Sequence, residues 1–335
     1  MNQGTRELVS IIIPTLNEEE NIENLLKSIY EQSYRPIEVV IVDGDSTDRT
    51  LEIVKKFKLC FEDKDFRIKI FKEEDFGKLR SLPNARNIGI LNSEGKYLLL
   101  LDADMVLLER DFVEKVVKGL MQNPEVHVIR KVLVDTPIEK TLLAEAMAWE
   151  RREVLTWHCG YRRECFRERL LDPYLGLYEV VDFEIDLRRK AIKPIVVEAN
   201  LGVHLPHTFK EFFKQQEWYG RTAIFFAKKR LKEVKRLYFM LSPLLPGLHF
   251  TSVIAFAVLS LFTNLGLYVM LILLATFIYR RLRFMLRMPR TYRSKTAIFI
   301  VNIIDCVIRP LAWGLGLLKT VVKLLMRKNV YRGRG

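Results

Sequence analysis

The sequence predicts an α/β fold in which a doubly wound, mainly parallel sheet is followed by a membrane-associated helical region. Short β-branched runs alternate with amphipathic helical segments through the first two thirds of the 335 residues, as in a parallel sheet covered by helices. The 43 residues of 237–279 then contain no Asp, Glu, Lys or Arg. We therefore expect two domains, residues 1–227 and residues 228–335.

Strands and helices alternate in the first domain. The first strand, residues 9–13, is β-branched and is closed by Pro14. The first helix, residues 21–32, has four apolar side chains on one face: Ile22, Leu25, Leu26 and Ile29. Strands are also predicted at residues 37–42, 67–71 and 97–101, and helices from Ser46 or Thr47 to about residue 57 and at residues 83–91.

The composition excludes several classes of protein. A hydrophobic fraction of 49% excludes a disordered chain, and four cysteines without a C-x-x-C pair indicate neither a zinc knuckle nor a disulfide scaffold. The net charge of +13 would suit a nucleic-acid binder, but residues 228–335 hold 20 basic residues and only two acidic ones. The basic excess adjoins the most apolar stretch, so we predict a membrane partner and no nucleic acid.

The apolar run 237–279 is predicted to form a transmembrane helical hairpin, because one crossing needs about 20 residues. Basic clusters flank both ends, which places both ends and the first domain on the cytoplasmic side of the cell membrane, in a multi-pass topology. A buried hairpin of a soluble protein is the alternative. The polar start of the chain predicts no signal peptide.

A third apolar stretch, residues 297–318, is predicted to be an interfacial or re-entrant helix at the inner leaflet. It contains Asp305, Arg309 and Pro310, and a charge at mid-membrane costs roughly 3 kcal/mol on insertion scales. If it crossed, the basic tail that follows would lie outside the cell. A true crossing is the alternative.

Acidic side chains follow three of the predicted strands, within residues 15–18, within residues 43–48 and at Asp102 and Asp104. Doubly wound sheets bind ligands at the carboxyl ends of their strands, so these groups are expected at one edge. Carboxylates gathered there need a cation or hydrogen-bond donors between them, and two aspartates one residue apart suit a hard divalent ion. Taken alone, the aspartate pair is also compatible with a turn cap.

Several motifs follow one another along the chain: VSIIIPTLNEEEN at 9–21, IVDGDSTDRT at 41–50, ARNIG at 85–89, GKYLLLLDAD at 95–104, the arginine pair at 162–163 and VDFEIDLR at 181–188. In this order and spacing they resemble glycosyltransferase family 2, with its GT-A fold. The resemblance spans roughly residues 7–220. It implies an inverting transfer from a nucleotide-sugar, with a UDP-sugar favoured and Mg2+ or Mn2+ as cofactor.

The resemblance implies a donor site at the strand ends. It gives contacts with the base and ribose to Thr15, Glu18 and Asp43, and it places Arg86 near the nucleotide.

The same resemblance implies a metal site beside the donor. Asp102 and Asp104 correspond to the D-x-D pair, with Asp104 as the direct ligand of the ion on the diphosphate. His204 occupies the place of a histidine near the metal in related enzymes, although a lone histidine is more often structural.

Asp182 corresponds to the aspartate that serves as general base in inverting members of the family, with Val181 in place of the preceding glutamate. Displacement at the anomeric carbon needs such a base for the acceptor hydroxyl. If residues 182–188 are helical, Asp186 shares the face of Asp182 whereas Glu184 does not. A helix N-terminal acid without a catalytic role is the alternative.

Three further residues are candidates for contact with the acceptor or with phosphates. Arg162 and Arg163 carry guanidinium groups, whose geometry suits hydrogen bonds to phosphate. Trp218 lies in a segment that resembles the Q-x-x-R-W region of membrane glycosyltransferases, where it would stack on a sugar or anchor at the membrane interface. The arginine of that motif is missing, which argues against processive polymer synthesis.

These observations predict a membrane-anchored inverting glycosyltransferase. The expected acceptor is a hydroxyl of a lipid-linked or nascent glycan, because a hydroxyl needs a base and an ionised phosphate does not. A polyprenyl-phosphate sugar synthase of the dolichyl-phosphate type is the second hypothesis. A non-catalytic membrane protein that binds nucleotide-sugars and a metal-dependent nucleotidyltransferase are the rivals.

Overall fold

A computed structural model describes residues 6–123, 128–130, 134–137, 158–192, 194–195, 197, 199–203, 208–230, 268, 271–272, 275–276, 279 and 308–326. These residues belong to two compact units. The described residues up to 203 lie in the first unit, and the described residues from 208 onward lie in the second.

The first unit is built on a six-stranded sheet of order β3-β2-β1-β4-β8-β6, accompanied by a three-stranded sheet of order β5-β9-β7. The strands are β1 Val9–Thr15, β2 Ile37–Asp43, β3 Phe66–Lys72, β4 Tyr97–Leu100, β5 Met105–Leu107, β6 Val128–Arg130, β7 Val134–Pro137, β8 His158–Arg162 and β9 Asn200–Val203. The helices of this unit are α1 Ile22–Tyr30, α2 Thr50–Phe61, α3 Leu82–Asn92, α4 Phe112–Gln122 and α5 Glu179–Arg189.

The predicted doubly wound, mainly parallel sheet is confirmed for β1 to β4, which pair in parallel. All seven residues of β1 and all seven of β2 are buried, as expected for strands covered on both faces. The strands β8 and β6 complete the sheet in antiparallel pairing. The carboxyl ends of β1, β2 and β4 consequently meet at one edge.

The helix α2 begins at Thr50, later than the predicted start at Ser46 or Thr47. A contact with the preceding loop causes this difference. The backbone N–H of Thr47 donates to Asn17 Oδ1 at 2.8 Å, which holds Thr47 in a loop. Asp48 Oδ1 then accepts from the Thr50 N–H at 3.0 Å, an Asx turn that leads into the helix.

The second unit contains α6, Phe209–Arg230, and α7, Arg309–Leu325. These two helices approach closely, because a Cβ added to Gly220 would lie 1.9 Å from the Trp313 carbonyl oxygen. A Cβ on Gly316 would lie 1.9 Å from the carbonyl oxygen of Glu217. The Thr320 hydroxyl also donates to the Arg221 carbonyl at 2.9 Å.

The predicted interfacial helix overlaps α7, which ends later than expected, at Leu325. Residues 297–307 lie outside the described residues, and α7 starts at Arg309 with Pro310 in its first turn, where a missing N–H breaks no helical hydrogen bond. Among the residues described, no helix combines the length and apolar character that a membrane crossing requires. The predicted hairpin at 237–279 lies outside the described residues, apart from six isolated positions.

We predict that Gly316→Ala loosens the packing of α6 on α7, at a cost of about 1–3 kcal/mol for an overpacked contact. The matched control is Gly314→Ala, two residues earlier, where nothing lies within 4 Å of an added Cβ. This control should keep or raise stability by up to about 1 kcal/mol through helix propensity. Amide hydrogen exchange along α6 is the measurement, and equal exchange in the two variants would contradict the close approach.

Candidate active site

Two loops at the carboxyl edge of the sheet are tied to each other by hydrogen bonds. They are the loop of residues 16–21 after β1 and the loop of residues 44–49 after β2. The Asn17 N–H donates to Ser46 Oγ at 3.0 Å, and the Glu18 N–H donates to Thr50 Oγ1 at 2.7 Å. Asn17 adopts a left-handed conformation, with φ at 54°, to make these contacts. The two loops therefore form one preorganised surface.

The predicted nucleoside contacts Thr15 and Asp43 lie side by side beneath these loops. They pair across β1 and β2, and the Thr15 hydroxyl lies 3.5 Å from Asp43 Oδ1. Asp43 is buried, and its Oδ2 accepts from the N–H groups of Asp45 and Ser46 at 3.1 and 3.0 Å. Glu18 accepts from Asn21 Nδ2 at 2.9 Å. The structure brings these three predicted residues to one edge. Asp43 also stabilises the loop that follows it, because it accepts these two hydrogen bonds.

Arg86 lies in a buried cluster with two carboxylates. It projects from α3 and pairs through Nη2 with Asp102, two residues beyond β4, and through Nη1 with Glu179, the first residue of α5. Side-chain exposure is 6% for Arg86 and 1% for Glu179, whereas 23% of Asp102 is exposed. One guanidinium thus joins the predicted D-x-D pair to the helix that carries Asp182.

Burial and charge act in opposite directions on this cluster. Burial alone would lower the pKa of Arg86, but the charges of Asp102 and Glu179 outweigh it and raise that pKa. Burial raises the pKa of Glu179 from its ordinary value of 4.5 to about 7, although the Arg86 charge opposes this rise. Glu179 therefore changes its proton occupancy near neutral pH.

The helix α5 presents an acidic face that also carries the predicted base. Glu179, Asp182 and Asp186 follow one another at spacings of three and four residues, which places them on one side of the helix. Asp182 is fully buried and pairs with Arg169, which also pairs with Asp186. Arg169 is 27% exposed and lies over the Phe183 ring, with Cζ 5.9 Å from the centroid. Asp182 is therefore held in an ion pair away from solvent.

The donors after β4 fit a divalent ion such as Mg2+ or Mn2+. In the part of the chain that the structure describes, no group of three or more His, Cys, Asp or Glu side chains could hold a metal. Mg2+ characteristically takes one or two protein carboxylates and completes its coordination with water and substrate phosphates. Asp102 pairs with Arg86, and the assignment of Asp104 as the direct ligand stays a prediction. The predicted ligand His204 lies outside the described residues.

Arg162 and Arg163 do not lie at this edge. Arg162 ends β8 opposite Tyr97, at the start of β4, and donates to the Leu120 carbonyl. Arg163 donates to the carbonyls of Gly95 and Ile90 at 2.7 and 3.1 Å. Both arginines thus bind backbone at the opposite edge of the sheet, so their predicted contact with acceptor or phosphates gains no support. Trp218 lies on α6, in the second unit.

Two residues of the site were missed by sequence reasoning. Glu179 precedes Asp182 by three residues, so the helical spacing was a signal for it. No sequence pattern pointed to Arg169, because its contacts depend on how residues 163–178 fold back on α5.

Residues 10–167, just under half of the chain, match the sequence profile of a family described as glycosyl transferase family 2. Glycosyltransferase GlyA of Streptococcus pneumoniae is 35% identical over 114 residues, which are 34% of this chain and 15% of that protein. A Methanococcus voltae protein named dolichyl N-acetyl-alpha-D-glucosaminyl phosphate 3-beta-D-2,3-diacetamido-2,3-dideoxy-beta-D-glucuronosyltransferase is 37% identical over 110 residues, which are 32% of each protein. The matched part of the chain thus spans about a third or less of the length of these two relatives.

A solved structure shares the fold. Mannosyltransferase PcManGT from Pyrobaculum calidifontis, in complex with GDP-Man and Mn2+, has a TM-score of 0.62 and covers 93% of this chain and 87% of that one. The two sequences are 20% identical, so this likeness bears on the fold. The mixed α/β arrangement with its parallel sheet is consistent with the predicted GT-A fold.

We predict that Arg86→Met lowers the free energy of unfolding by about 3–5 kcal/mol, because it leaves a buried carboxylate without its cation. Adding Glu179→Gln to this variant removes the charge and should recover part of the loss. Urea unfolding of the single and double variants measures the difference. Equal stabilities would mean that the two side chains are not coupled.

We also predict a pH dependence that originates in Glu179. The folded pKa of about 7 exceeds the ordinary value of 4.5, so the folded state binds this proton more tightly than the unfolded state does. This contribution to stability is present below about pH 4.5 and is lost as the pH rises to 7. Relative to Glu179→Gln, the wild type should therefore lose stability between pH 5 and pH 8, by about 1.4 kcal/mol per unit of pKa difference at most. A constant difference between the two proteins would contradict the assignment.

Proposed function

We propose that this chain, whose residues 10–167 belong to glycosyltransferase family 2, transfers a sugar from a nucleotide-sugar to an acceptor hydroxyl with inversion at the anomeric carbon. The observation that carries the proposal is the single buried arginine that joins Asp102, at the strand edge, to the acidic face of α5. A donor site and a candidate base are thereby held on adjoining elements.

The donor is proposed to be a nucleotide-sugar, with UDP favoured over GDP. Thr15 and Asp43 at the strand ends and Glu18 in the first loop would contact the base and ribose, and Asp104 with Asp102 would hold Mg2+ or Mn2+. That ion, when bound, supplies positive charge for the departing diphosphate. Arg86 keeps Asp102 in place and is a positioning residue, because its own guanidinium is buried in ion pairs.

Asp182 is proposed as the general base. The acceptor oxygen forms a bond to the anomeric carbon, the bond from that carbon to the diphosphate oxygen breaks, and the acceptor proton passes to the carboxylate. Since Asp182 is buried against Arg169, the acceptor can reach it only after Arg169 leaves the pair.

The acceptor is proposed to be a lipid-linked or nascent glycan at the cytoplasmic face of the cell membrane. The apolar run and its basic flanks support this location, and the name of the Methanococcus relative includes a dolichyl phosphate-linked sugar. One observation favours the second hypothesis, a polyprenyl-phosphate acceptor. An ionised phosphate needs no base, and Asp182 is already occupied by a cation.

We predict that Asp182→Asn abolishes transfer and leaves donor binding intact. The matched control is Asp186→Asn, because Asp186 shares the partner Arg169 and the same helix face. The control should retain transfer if the essential property of Asp182 is proton acceptance. Turnover is measured with labelled donor, and donor affinity by calorimetry with Mn2+. Equal losses in both variants would show that the ion pair, and not a base, is what matters.

The acceptor and the metal are tested together. Membranes that contain the protein are supplied with labelled nucleotide-sugars and either a lipid-linked saccharide or bare polyprenyl phosphate. We expect transfer to the saccharide, stimulation by Mn2+ and loss of activity in Asp104→Ala. Transfer to bare polyprenyl phosphate alone would establish the second hypothesis. Unchanged turnover in both Asp104→Ala and Asp182→Asn would contradict both hypotheses, and released pyrophosphate would indicate a nucleotidyltransferase.

A further inference from the structure

Glu179 is the most buried member of the cluster around Arg86. Its side chain is 1% exposed, whereas 23% of Asp102 is exposed. One oxygen of Glu179 pairs with Arg86, and the other, Oε2, is buried and accepts no hydrogen bond within the described part of the chain. A cation from solvent can approach Asp102 but is excluded from Glu179. Any effect of Glu179 on a bound cation therefore passes through the guanidinium.

The cluster holds more negative than positive charge. Two carboxylates share one guanidinium, so one negative charge is left over when all three groups are ionised. In the described structure, neither Asp102 nor Glu179 pairs with a second basic side chain. Burial raises the pKa of Glu179 to about 7, and the charge of Asp102 adds to this rise while Arg86 opposes it. A divalent cation beside Asp102 would offset the excess negative charge.

Sharing one guanidinium couples the two carboxylates. Arg86 pairs with Asp102 through Nη2 and with Glu179 through Nη1, so each carboxylate offsets part of the positive charge that the other experiences. If Glu179 carried no charge, the guanidinium would act on Asp102 alone and would make the end of β4 less negative. With that charge present, Asp102 stays more attractive to a cation. Groups that support a metal ligand in this way affect metal affinity without touching the metal.

We propose that Glu179 is a positioning residue for the divalent ion, because its charge offsets that of Arg86 and leaves Asp102 available to the ion. This inference rests on the proposed function in one respect, the binding of the ion at Asp102 and Asp104. The competing explanation is that Glu179 only anchors the start of α5 against α3. An anchor would affect the stability of the fold and leave the affinity for metal unchanged.

Glu179→Gln tests the proposal, because the amide keeps the size of the side chain and an oxygen that can accept from Arg86 but removes the charge. The wild type itself carries an uncharged Glu179 below the pKa of about 7, so the variant is expected to fold, which circular dichroism checks. We expect Glu179→Gln to bind Mn2+ about tenfold more weakly than the wild type, as for loss of a group that supports a metal ligand.

The dissociation constant for Mn2+ is measured on the full chain by electron paramagnetic resonance of the free ion. Mn2+ is added alone and together with UDP or GDP. The pH is held near 8, above the pKa of about 7, so that Glu179 is ionised in the wild type. This readout does not depend on turnover.

Two control variants accompany the measurement. Asp186→Asn removes the same charge from α5, seven residues further along the helix, where the partners are Arg169 and Arg189. It should bind Mn2+ with the affinity of the wild type. Glu179→Asp keeps the charge and should recover most of the affinity that Glu179→Gln loses.

The outcomes separate this inference from the proposed function. Binding that is lost in Asp104→Ala but equal in the wild type and Glu179→Gln would overturn the role of Glu179 and leave the metal site intact. A wild type that binds no Mn2+ under any of these conditions would overturn both. Equal losses in Glu179→Gln and Asp186→Asn, or no recovery in Glu179→Asp, would overturn the coupling through Arg86.

Discussion

The candidate site depends on one buried guanidinium. Arg86 comes from α3, and its partners come from the end of β4 and the start of α5. Leaving the Glu179 carboxylate buried without the cation would cost several kcal/mol. The two ion pairs of Arg86 thus link three elements to one another. The edge of the sheet and the acidic face of α5 are therefore held as one arrangement.

Local sequence patterns were sufficient to predict the strands of the parallel core. The β-branched runs became β1, β2 and β3, and the apolar periodicity of residues 22–29 became α1, because burial on both faces of a sheet leaves a direct mark on sequence. The start of α2 could not be predicted in this way. It is displaced by hydrogen bonds that backbone N–H groups donate to Asn17 and Asp48, and Asn17 is some 30 residues away in sequence.

In the candidate site, too, some features could be predicted from the sequence and others could not. The position of Thr15, Asp43 and Asp102 at one edge follows from the parallel pairing of β1, β2 and β4, and the alternating pattern predicts such a parallel sheet. The partner of Asp182 does not follow from it, because Arg169 arrives from an irregular segment. The location of Arg162 and Arg163 does not follow from it either, since the antiparallel pairing of β8 with β4 carries them to the opposite edge.

The hydrogen bonds between the two loops have a consequence for evolution and engineering. Asn17 receives the Thr47 N–H and gives its own N–H to Ser46, so neither loop has a conformation independent of the other. Substitutions in one should be strongly epistatic with substitutions in the other. A change of nucleotide preference is therefore expected to require exchange of both segments as a pair, and grafting either one alone should leave a misshapen pocket.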